Sequence, residues 1–586
     1  MTRDKRLDKF AIASALLEIA ALLELKGGKD RFKARAYQTG ARMVVGMSED
    51  IGDVILTNRL TSMRGIGEGL ASQIEQLYLT GESSVLKGLK QEFPPGIIEL
   101  SGVPGLSVIK IKALHEALGI TSIAELKAAA EAGKIRNLKG FGAKTEETLL
   151  QTLASHRQRG RGEDRMLLHL ALQAAEQVGS YLQTAPDKAE ISFAGSLRRW
   201  KETVGTIRIV ANTKRPAELV KHFLRFPLIV EVKEQMEEAC TVRLAEGARV
   251  SLVAARPQEF ALALLTETGS KAHIDKLQRI ASGEERVANG KQRKRKVRSG
   301  KAEPAELMSE EDIYDQLGMP YIPPELRENE GEIEAAVVGS LPEDLVTLKD
   351  IQGMVHCHTT YSDGKHSVEE MARAAEALGM KYLTITDHSP TAFYAGGVTL
   401  DQLKRQWDEI AEVQEKVKVK ILRGTESDII ANGQLDYPDE ILEKFDVIVA
   451  SIHSRYKMDS AKMTNRIVTA MRQPVFKIWG HALGRKLQQR PPFDCDVEKI
   501  LDVIAESRAA IEVNGDPHRL DMEPRWIRAA RKRKIKFVIS VDAHSTGAMK
   551  NLKYGVGIAR RGWLRKSEVL NTLGTKAFRN AVRPAK

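Results

Sequence analysis

The sequence predicts a multidomain protein with an α-helical N-terminal region, a central α+β domain and a C-terminal (βα)7 barrel. The chain has 586 residues, which is several times the usual size of one domain. In the N-terminal region, an apolar residue, a glycine-containing turn and a helix start recur in that order three times. From residue 351 onward, seven short apolar runs alternate with amphipathic helical stretches, which is the pattern of a parallel barrel.

The composition favours a cytoplasmic protein with a polyanionic partner. The hydrophobic content of 42% is ordinary, and no run of about 18 apolar residues predicts a membrane span. The N-terminus lacks the apolar core of a signal peptide, and three widely spaced cysteines do not form a disulfide framework. The net charge of +12 is compatible with nucleic-acid binding, although many basic proteins bind none.

The N-terminal region begins with a predicted amphipathic helix over residues 8–26, in which Ile12, Leu16 and Ile19 recur at helical spacing. The basic residues 29–37 are interpreted as the solvated face of a helix. Glycine turns then precede helices at residues 63–67, 103–107 and 138–145. Such turns let backbone N–H groups approach a phosphate at a helix N-terminus.

These three turns form the helix-hairpin-helix pattern, which contacts the DNA backbone without reading sequence. The second copy departs from it, because Ser107 stands where a glycine is usual. Non-specific DNA binding is therefore predicted, with gapped, single-stranded or 3′-ended DNA as the partner. The predicted contacts are Gly65, Gly67, Gly105, Gly140, Gly142 and Lys144.

The central domain carries the first family resemblance. Residues 194–205 read AGSLRRWKETVG, which resembles the nucleotidyltransferase signature of bacterial family X DNA polymerases. The resemblance implies a palm domain in which Gly195 and Ser196 form a turn around a nucleotide phosphate, with charge added by Arg198 and Arg199. Because the catalytic positions described next are altered, the nucleotide site formed by Gly195, Ser196 and Arg199 is predicted to be vestigial.

The aspartates that the family uses for catalysis are missing from this palm. In the family the signature continues as Gly-Asp-Ile-Asp, and these two aspartates and a third hold two magnesium ions. This chain has Thr206, Arg208 and Ser251 at those positions. The resemblance therefore implies a palm that folds but binds no magnesium and does not polymerise. The alternative is a misaligned motif, with Asp187 or Glu202 as the catalytic carboxylates.

Three further segments of the polymerase-like part are informative. Thr266 and Glu267 replace an aromatic pair that lines the family's nucleotide pocket, and Gln73 replaces the Schiff-base lysine of some relatives, so dRP-lyase activity is not expected. The basic residues 291–298 predict a solvated linker, with a DNA-backbone contact as the second interpretation.

The predicted barrel brings together potential metal ligands. Its strands are predicted at residues 354–358, 382–386, 420–424, 447–451, 476–480, 510–513 and 536–541, with helices such as 368–378 and 497–507 between them. Sites in such barrels form at the C-terminal strand ends, and imidazole and carboxylate groups bind first-row metals there. Six of the seven strands supply nine such residues, which are His356, His358, Asp363, His388, Glu426, His453, His481, Asp542 and His544.

This pattern resembles the PHP (polymerase and histidinol phosphatase) domain that is fused to bacterial family X polymerases. The resemblance covers residues 351–586 and implies two to three divalent ions, manganese or zinc. It implies that His356, His358, Glu426 and Asp542 hold one ion. Glu426 would bridge to a second ion with His453 and His481, and Asp363, His388 and His544 would hold a third. Cys357 is predicted to face the other side of its strand.

Basic residues after the strand ends are candidates for binding substrate phosphates, or are ordinary surface charge. They are Arg455, Lys457, Arg485 and Arg490, of which Arg455 and Arg485 are the preferred assignments. The resemblance implies a metal-dependent 3′–5′ exonuclease in DNA repair, and some relatives also cleave at abasic sites. The alternatives are a still-active gap-filling polymerase with 3′–5′ exonuclease activity, a small-molecule phosphatase of the histidinol-phosphate type, and a scaffold with structural metals.

The predicted protein is a monomer of five domains. A helical DNA-binding domain with the first hairpin precedes a fingers-like hairpin domain, a degenerate palm, a thumb-like region with the linker, and the PHP domain. Their predicted boundaries are residues 1–85, 86–160, 161–260, 261–345 and 346–586.

Overall fold

The computed structural model describes residues 7, 9–45, 47, 49, 51–63, 65–94, 96–101, 106, 108–138, 141–142, 146, 149, 165–244, 247–284 and 309–585. The chain forms two compact units. The first unit comprises Met1–Met166, Ala171–Phe193 and Gly205–Phe260, and the second unit comprises Leu167–Leu170, Ala194–Val204 and Ala261–Lys586. Within the described part of the chain, no helix has the length and apolar character needed to cross a membrane.

The N-terminal part of the first unit is helical, as predicted. Ile12, Leu16 and Ile19 of the first helix are fully buried, so their helical spacing marks the packed face. The basic residues 29–37 enter the second helix, where most of them are exposed. The helices of this part are Lys9–Lys26, Asp30–Val45, Ile51–Leu56, Glu68–Thr80, Ser84–Glu92, Ile97–Ser101, Val108–Leu118 and Ile123–Glu131.

The first glycine turn has the backbone geometry that the hairpin pattern requires. Gly65 has a φ of 96°, a left-handed conformation that favours glycine. Gly67 is the N-cap of the helix Glu68–Thr80, and no side chain caps that end. Gly142 is described, whereas Gly105, Gly140 and Lys144 lie outside the described residues, as does the predicted linker 291–298. The DNA contacts of all six residues remain predictions.

The palm of the first unit is a five-stranded sheet. In spatial order its strands are β2 (Glu190–Ala194), β4 (Thr206–Asn212), β7 (Arg249–Ala255), β6 (Ala239–Leu244) and β5 (Ile229–Gln235). Thr206 is paired with Arg249, and Arg208 with Ser251, across the parallel strands β4 and β7. Paired residues share a face, so the three substituted positions lie together. The remaining strands, β1 (Met166–Leu167) and β3 (Thr203–Val204), form a separate two-stranded sheet. The helices between residues 166 and 268 are Leu168–Leu182, Gly195–Arg198, Pro216–Phe223 and Pro257–Thr268, of which Gly195–Arg198 belongs to the second unit.

The second unit contains a segment that the sequence assigned to the palm. Residues 194–204 group with the thumb-like region and the barrel rather than with the rest of 161–260. Glu202 anchors this segment through an ion pair of 2.6 Å with Arg561, and Arg561 and Arg485 hold the pKa of the largely buried Glu202 at about 2, against the effect of burial. The thumb-like helices are Lys271–Ala281, Glu310–Gln316 and Glu332–Val337.

The C-terminal barrel has the predicted seven parallel strands, which neighbour one another in chain order from β8 (Gly353–Cys357) to β14 (Lys536–Ser540). The backbone N–H of His358 donates to the carbonyl of Ala543, and the N–H of Ala543 donates to the carbonyl of His356. These bonds join the ends of β8 and β14, so the barrel is nearly closed. The strands are buried almost throughout, because helices cover the outer face. Strands β8 to β14 are Gly353–Cys357, Tyr382–Ile385, Lys420–Asp428, Val447–Ser451, Lys477–Trp479, Ala509–Asn514 and Lys536–Ser540.

The sequence predicted barrel helices at residues 368–378 and 497–507, and the structure confirms both to within one residue. Capping boxes begin the helices at Val368 and Leu400, where Ser367 and Thr399 accept from the first-turn backbone. The helices are Val368–Ala377, Leu400–Gln414, Asp439–Leu442, Ser460–Arg472, Val497–Glu506, Pro524–Lys532, Leu552–Arg561 and Thr575–Val582.

Candidate metal centre

The nine candidate ligands meet at the C-terminal ends of the barrel strands. Their potential ligand atoms form three groups, and within each group the atoms lie within 4.8 Å of one another. The first group is His356, His358, Glu426 and Asp542; the second is His388, Glu426 and His453; the third is His358, Asp363, His388 and His544. His481 joins them through its Nε2, which lies 2.8 Å from Glu426 Oε1.

Glu426 is the centre of this arrangement. Its two carboxylate oxygens lie 2.8–3.5 Å from one nitrogen of each of five histidines, which are His356, His358, His388, His453 and His481. Asp542 Oδ1 lies 3.2 Å from His358 Nε2, and Asp363 Oδ1 lies 3.2 Å from His544 Nε2. The grouping is close to the one implied by the resemblance, except that His388 takes the place of His481 in the second group and His358 also belongs to the third.

The chemistry of these atoms fits divalent cations. Several inward-facing atoms are buried and have no hydrogen-bond partner: His356 Nε2, His358 Nε2, His388 Nδ1, Glu426 Oε2 and Asp542 Oδ1. A buried polar atom without a partner is costly, and a metal ion is the partner that imidazole nitrogens and carboxylate oxygens share. Cys357 is fully buried and belongs to none of the three groups.

The charges of the site also suit cations. Burial opposes ionisation of Glu426, but the surrounding His453, His356 and His388 hold its pKa well below the ordinary value. The pKa of Asp542 is likewise held well below the ordinary value, against burial, chiefly by His356 and His358. These buried carboxylates therefore present negative charge to the centre of the site.

Three of the candidate ligands have a backbone conformation that side chains rarely adopt. The φ angles of His356, His481 and Asp542 are 64°, 25° and 50°. A residue held in this region costs about 1–3 kcal/mol and persists where the surrounding structure fixes it, most often at functional sites. In β8 a register irregularity between Met354 and Cys357 accompanies this conformation and lets the strand present its histidines.

Two carboxylates that the sequence analysis did not assign orient the histidines. His356 Nδ1 donates to Glu512 Oε1 over 2.5 Å, and His453 Nδ1 donates to Asp428 Oδ1 over 2.6 Å. Each bond fixes the tautomer and leaves Nε2 facing the site, as for metal-binding histidines in general. Glu512 also accepts bonds from Ser540 Oγ and from the backbone N–H of His481. The sequence contains a signal for Asp428, because one residue separates it from Glu426, just as one residue separates His358 from His356.

Comparisons with known proteins agree with this architecture. Family models match four segments: a helix-hairpin-helix domain at residues 8–83, a SAM-like helix-hairpin-helix tandem at 97–155, a DNA polymerase beta thumb at 263–328 and a PHP domain at 355–516. A Bacillus subtilis protein named DNA polymerase/3'-5' exonuclease PolX is 34% identical over 567 residues, which cover 96% of this chain and 97% of that protein. The chain belongs to the bacterial PolX family.

Two other likenesses cover parts of this PolX chain. A probable phosphatase of Thermoanaerobacter sp. is 28% identical over 229 residues, or 37% of this chain and 89% of that protein. A polymerase beta from Leishmania infantum, in a ternary complex, is 19% identical and covers 40% of this chain and 98% of that chain with a TM-score of 0.25, too low to support a conclusion. The chain is thus a PolX-type DNA-repair protein with a PHP domain, and its polymerase-β-like and hairpin domains imply DNA binding.

The basic residues around the candidate metal centre differ in their exposure. Arg455, which follows His453, is exposed and has a φ of 55°. Lys457 is also exposed, whereas Arg490 is partly buried and its guanidinium lies 3.9 Å from the centre of the Tyr456 ring. Arg519, which the sequence analysis missed, has its Nε 3.4 Å from Asp542 Oδ2.

The preference for Arg485 as a phosphate contact disagrees with the structure. Arg485 is buried, and its guanidinium donates to the backbone carbonyls of Arg519 and Leu520 and pairs with Glu202 and Glu523. The sequence around Arg485 does not predict these contacts, because the partner residues are distant along the chain. Arg485 therefore holds the loop that carries Arg519, while Arg519 is the arginine that contacts a candidate ligand.

The arginines of the predicted nucleotide site also form ion pairs. Arg198 makes a two-pronged pair with Glu310, at 2.9 and 2.7 Å, and Arg199 donates to Glu328 over 2.9 Å. Gly195, whose φ is 61°, and Ser196 begin the short helix at the predicted turn. The two cations that the family resemblance assigned to nucleotide phosphates thus pair with carboxylates of this PolX chain.

Replacing Glu512 by glutamine is expected to weaken metal binding by about 10- to 100-fold, because His356 loses its carboxylate partner. Equilibrium titration of metal-free protein with Mn²⁺ measures the change. Glu506→Gln, at the exposed end of the helix Val497–Glu506, is the matched control. Unchanged affinity in a Glu512→Gln protein that melts at the parent temperature would contradict the orienting role.

Proposed function

We propose that this protein hydrolyses phosphodiester bonds at DNA 3′ ends through its PHP domain, as a metal-dependent 3′–5′ exonuclease acting in repair. The observation that carries the proposal is the convergence of nine histidine, aspartate and glutamate side chains on one rim of the barrel, in three overlapping groups. The proposed cofactors are two to three manganese or zinc ions. Gapped, single-stranded or 3′-ended DNA is the proposed substrate, bound by a monomer.

The similarity to PolX of Bacillus subtilis supports this choice of substrate. That protein's name includes a 3'-5' exonuclease, and it aligns along 96% of this chain, including both hairpin regions and the barrel. Hairpin contacts to the DNA backbone, proposed at Gly65, Gly67, Gly105, Gly140, Gly142 and Lys144, give affinity without sequence preference. A backbone-binding array and a phosphoesterase centre on one chain favour a nucleic-acid substrate.

The residues of the barrel would share the work of hydrolysis. The groups around Glu426 and Asp363 would hold the divalent ions, whose chemistry is to lower the pKa of water and to offset negative charge on a phosphodiester. Glu512 and Asp428 keep His356 and His453 in the tautomer that binds. Arg519, 3.4 Å from Asp542, and the exposed Arg455 add positive charge for the substrate phosphates.

The palm is proposed to have lost polymerase activity. Thr206, Arg208 and Ser251 occupy paired positions on one face of the sheet, where the resemblance places three aspartates. Neutral hydroxyl groups are poor magnesium ligands, and a guanidinium repels the cation. The proposed role of this domain is therefore to bind DNA ends without extending them.

A second candidate function is hydrolysis of small phosphate monoesters. The probable phosphatases of Thermoanaerobacter align with only 37% of this chain, so this likeness concerns the barrel alone. It gives no account of the hairpin regions, which is why the nuclease is preferred.

The proposed activity predicts stepwise shortening of DNA from the 3′ end. Parent protein is incubated with Mn²⁺ and with 5′-labelled single-stranded or 3′-recessed DNA, and the product lengths are followed with time. A ladder of progressively shorter labelled products is expected, and EDTA is expected to abolish it. Release of inorganic phosphate from histidinol phosphate, with intact DNA, would instead identify a small-molecule phosphatase.

A further inference from the structure

Two aromatic side chains stand exposed beside the metal centre. Phe393 is 86% exposed and Tyr394 is 69% exposed, in the loop that follows the candidate ligand His388. The Tyr394 ring centre lies 6.2 Å from that of His388 and 6.3 Å from that of His453. Large adjacent aromatic side chains left in water are typical of binding surfaces.

The backbone of the loop that carries these rings is anchored to the ligand strand. Phe393–Ala395 form one 3-10 turn, which ends at Gly396 with a φ of 66°. The backbone N–H of Val398 donates to the carbonyl of His388 over 2.8 Å, which closes the loop onto the ligand strand. A Cβ added at Gly397 would lie 2.1 Å from the carbonyl oxygen of Ser389, so the close approach requires glycine.

The loop is also tied to the residue that orients His453. Thr391 Oγ1 donates to Asp428 Oδ2 over 3.0 Å, and the Thr391 N–H donates to Asp436 over 2.7 Å. Asp428 therefore holds both the loop and a candidate ligand. Exposed rings on an anchored loop lose little conformational freedom when a ligand stacks on them.

Cationic and aromatic groups lie together on the same part of the barrel rim. Tyr456 follows the exposed Arg455, stacks on Phe493 at a ring distance of 5.6 Å, and lies under the guanidinium of Arg490. Single-stranded nucleic acid is bound by this combination of aromatic side chains for its bases and basic side chains for its phosphates. A small phosphate monoester has no need for it.

We propose that Phe393 and Tyr394 form a stacking platform for the bases at a single-stranded DNA 3′ end, and that stacking places the terminal phosphodiester at the metal centre. This inference rests on the proposed nuclease function and adds the means by which that site selects its substrate. The platform makes Phe393 and Tyr394 positioning residues, because they contact bases and not the reacting atoms.

The test compares two single-stranded oligonucleotides that end in a normal nucleotide or in two abasic tetrahydrofuran residues. The parent protein is expected to cleave the base-containing end with the higher kcat/KM. Phe393→Ala/Tyr394→Ala is expected to lower kcat/KM for the base-containing end by about 10- to 100-fold, mostly through KM, and to affect the abasic end much less. The single variant Tyr394→Trp keeps an aromatic ring and is expected to retain the parental kcat/KM for the base-containing end, whereas Tyr394→Leu is expected to lower it.

The controls separate this proposal from the nuclease proposal. Leu378→Ala removes an exposed apolar side chain that follows the barrel helix Val368–Ala377, and melting temperatures establish that each variant is folded. An equal loss of kcat/KM on both ends would overturn the platform while leaving the nuclease intact. If the parent cleaves no DNA, the nuclease proposal fails; fluorescence anisotropy with the same oligonucleotides then tests the platform, and equal binding of both ends by parent and variant overturns it.

Discussion

Replacing Glu426 by glutamine is expected to lower DNA hydrolysis by about 10³-fold or more, which corresponds to about 4 kcal/mol in the barrier. Glutamine has the size of glutamate but lacks its charge, and this carboxylate lies within 2.8–3.5 Å of five histidine side chains. Among the described residues of the candidate site, no other carboxylate pairs with so many histidines. Single-turnover cleavage of 5′-labelled DNA with saturating Mn²⁺ measures the loss.

The matched control for this variant is Glu440→Gln, an exposed glutamate in the short barrel helix Asp439–Leu442. It removes the same charge from the same domain and is expected to retain parental activity. Metal content, measured on both proteins, is expected to fall only in Glu426→Gln. Parental cleavage rates in folded Glu426→Gln would show that the nuclease activity does not depend on the metal centre.

The palm is expected not to extend a primer in either Mg²⁺ or Mn²⁺. The expected deficit is at least about 10³-fold relative to a PolX protein with intact carboxylates, because neither metal position is retained. Arg208 is paired in register with Ser251, so a positive charge lies beside the third lost carboxylate. The assay uses Glu426→Gln protein, recessed and gapped primers, and all four dNTPs, so that degradation cannot conceal extension.

PolX of Bacillus subtilis, whose name includes a DNA polymerase, is the positive control for this assay. Template-directed extension by the Glu426→Gln protein, sensitive to further substitution at Asp187 or Glu202, would show that those carboxylates serve the polymerase reaction. The geometry around Glu202 argues against this outcome, since its carboxylate pairs with Arg561 and Arg485 within the second unit.

The barrel and its candidate ligands were predictable because their signals are local. Parallel strands that are buried on both faces appear in the sequence as continuous apolar runs. A histidine or aspartate that follows such a run therefore lies at the C-terminal rim of the barrel. The positions of His356, His358, Asp542 and His544 after such runs were therefore sufficient to predict that their side chains lie on one rim. The predicted third strand was too short, since β10 continues through Glu426 to Asp428.

Other features depend on contacts between distant residues, which spacing does not encode. Glu512 lies 156 positions from His356, and only the closure of the barrel brings the two together. Arg485 follows a ligand strand, but its direction is set by carbonyls 34 and 35 residues away. The grouping of residues 194–204 with the second unit likewise depends on Arg198 meeting Glu310, 112 positions later.

The most direct test of a single catalytic centre is the length distribution of a 5′-labelled recessed primer after incubation with the parent protein, Mn²⁺ and all four dNTPs. With the parent protein we predict only products shorter than the primer. With the Glu426→Gln protein we predict that the primer keeps its original length. Products longer than the primer, formed by either protein in a template-dependent manner, would contradict the proposal that catalysis is confined to the candidate metal centre of the barrel.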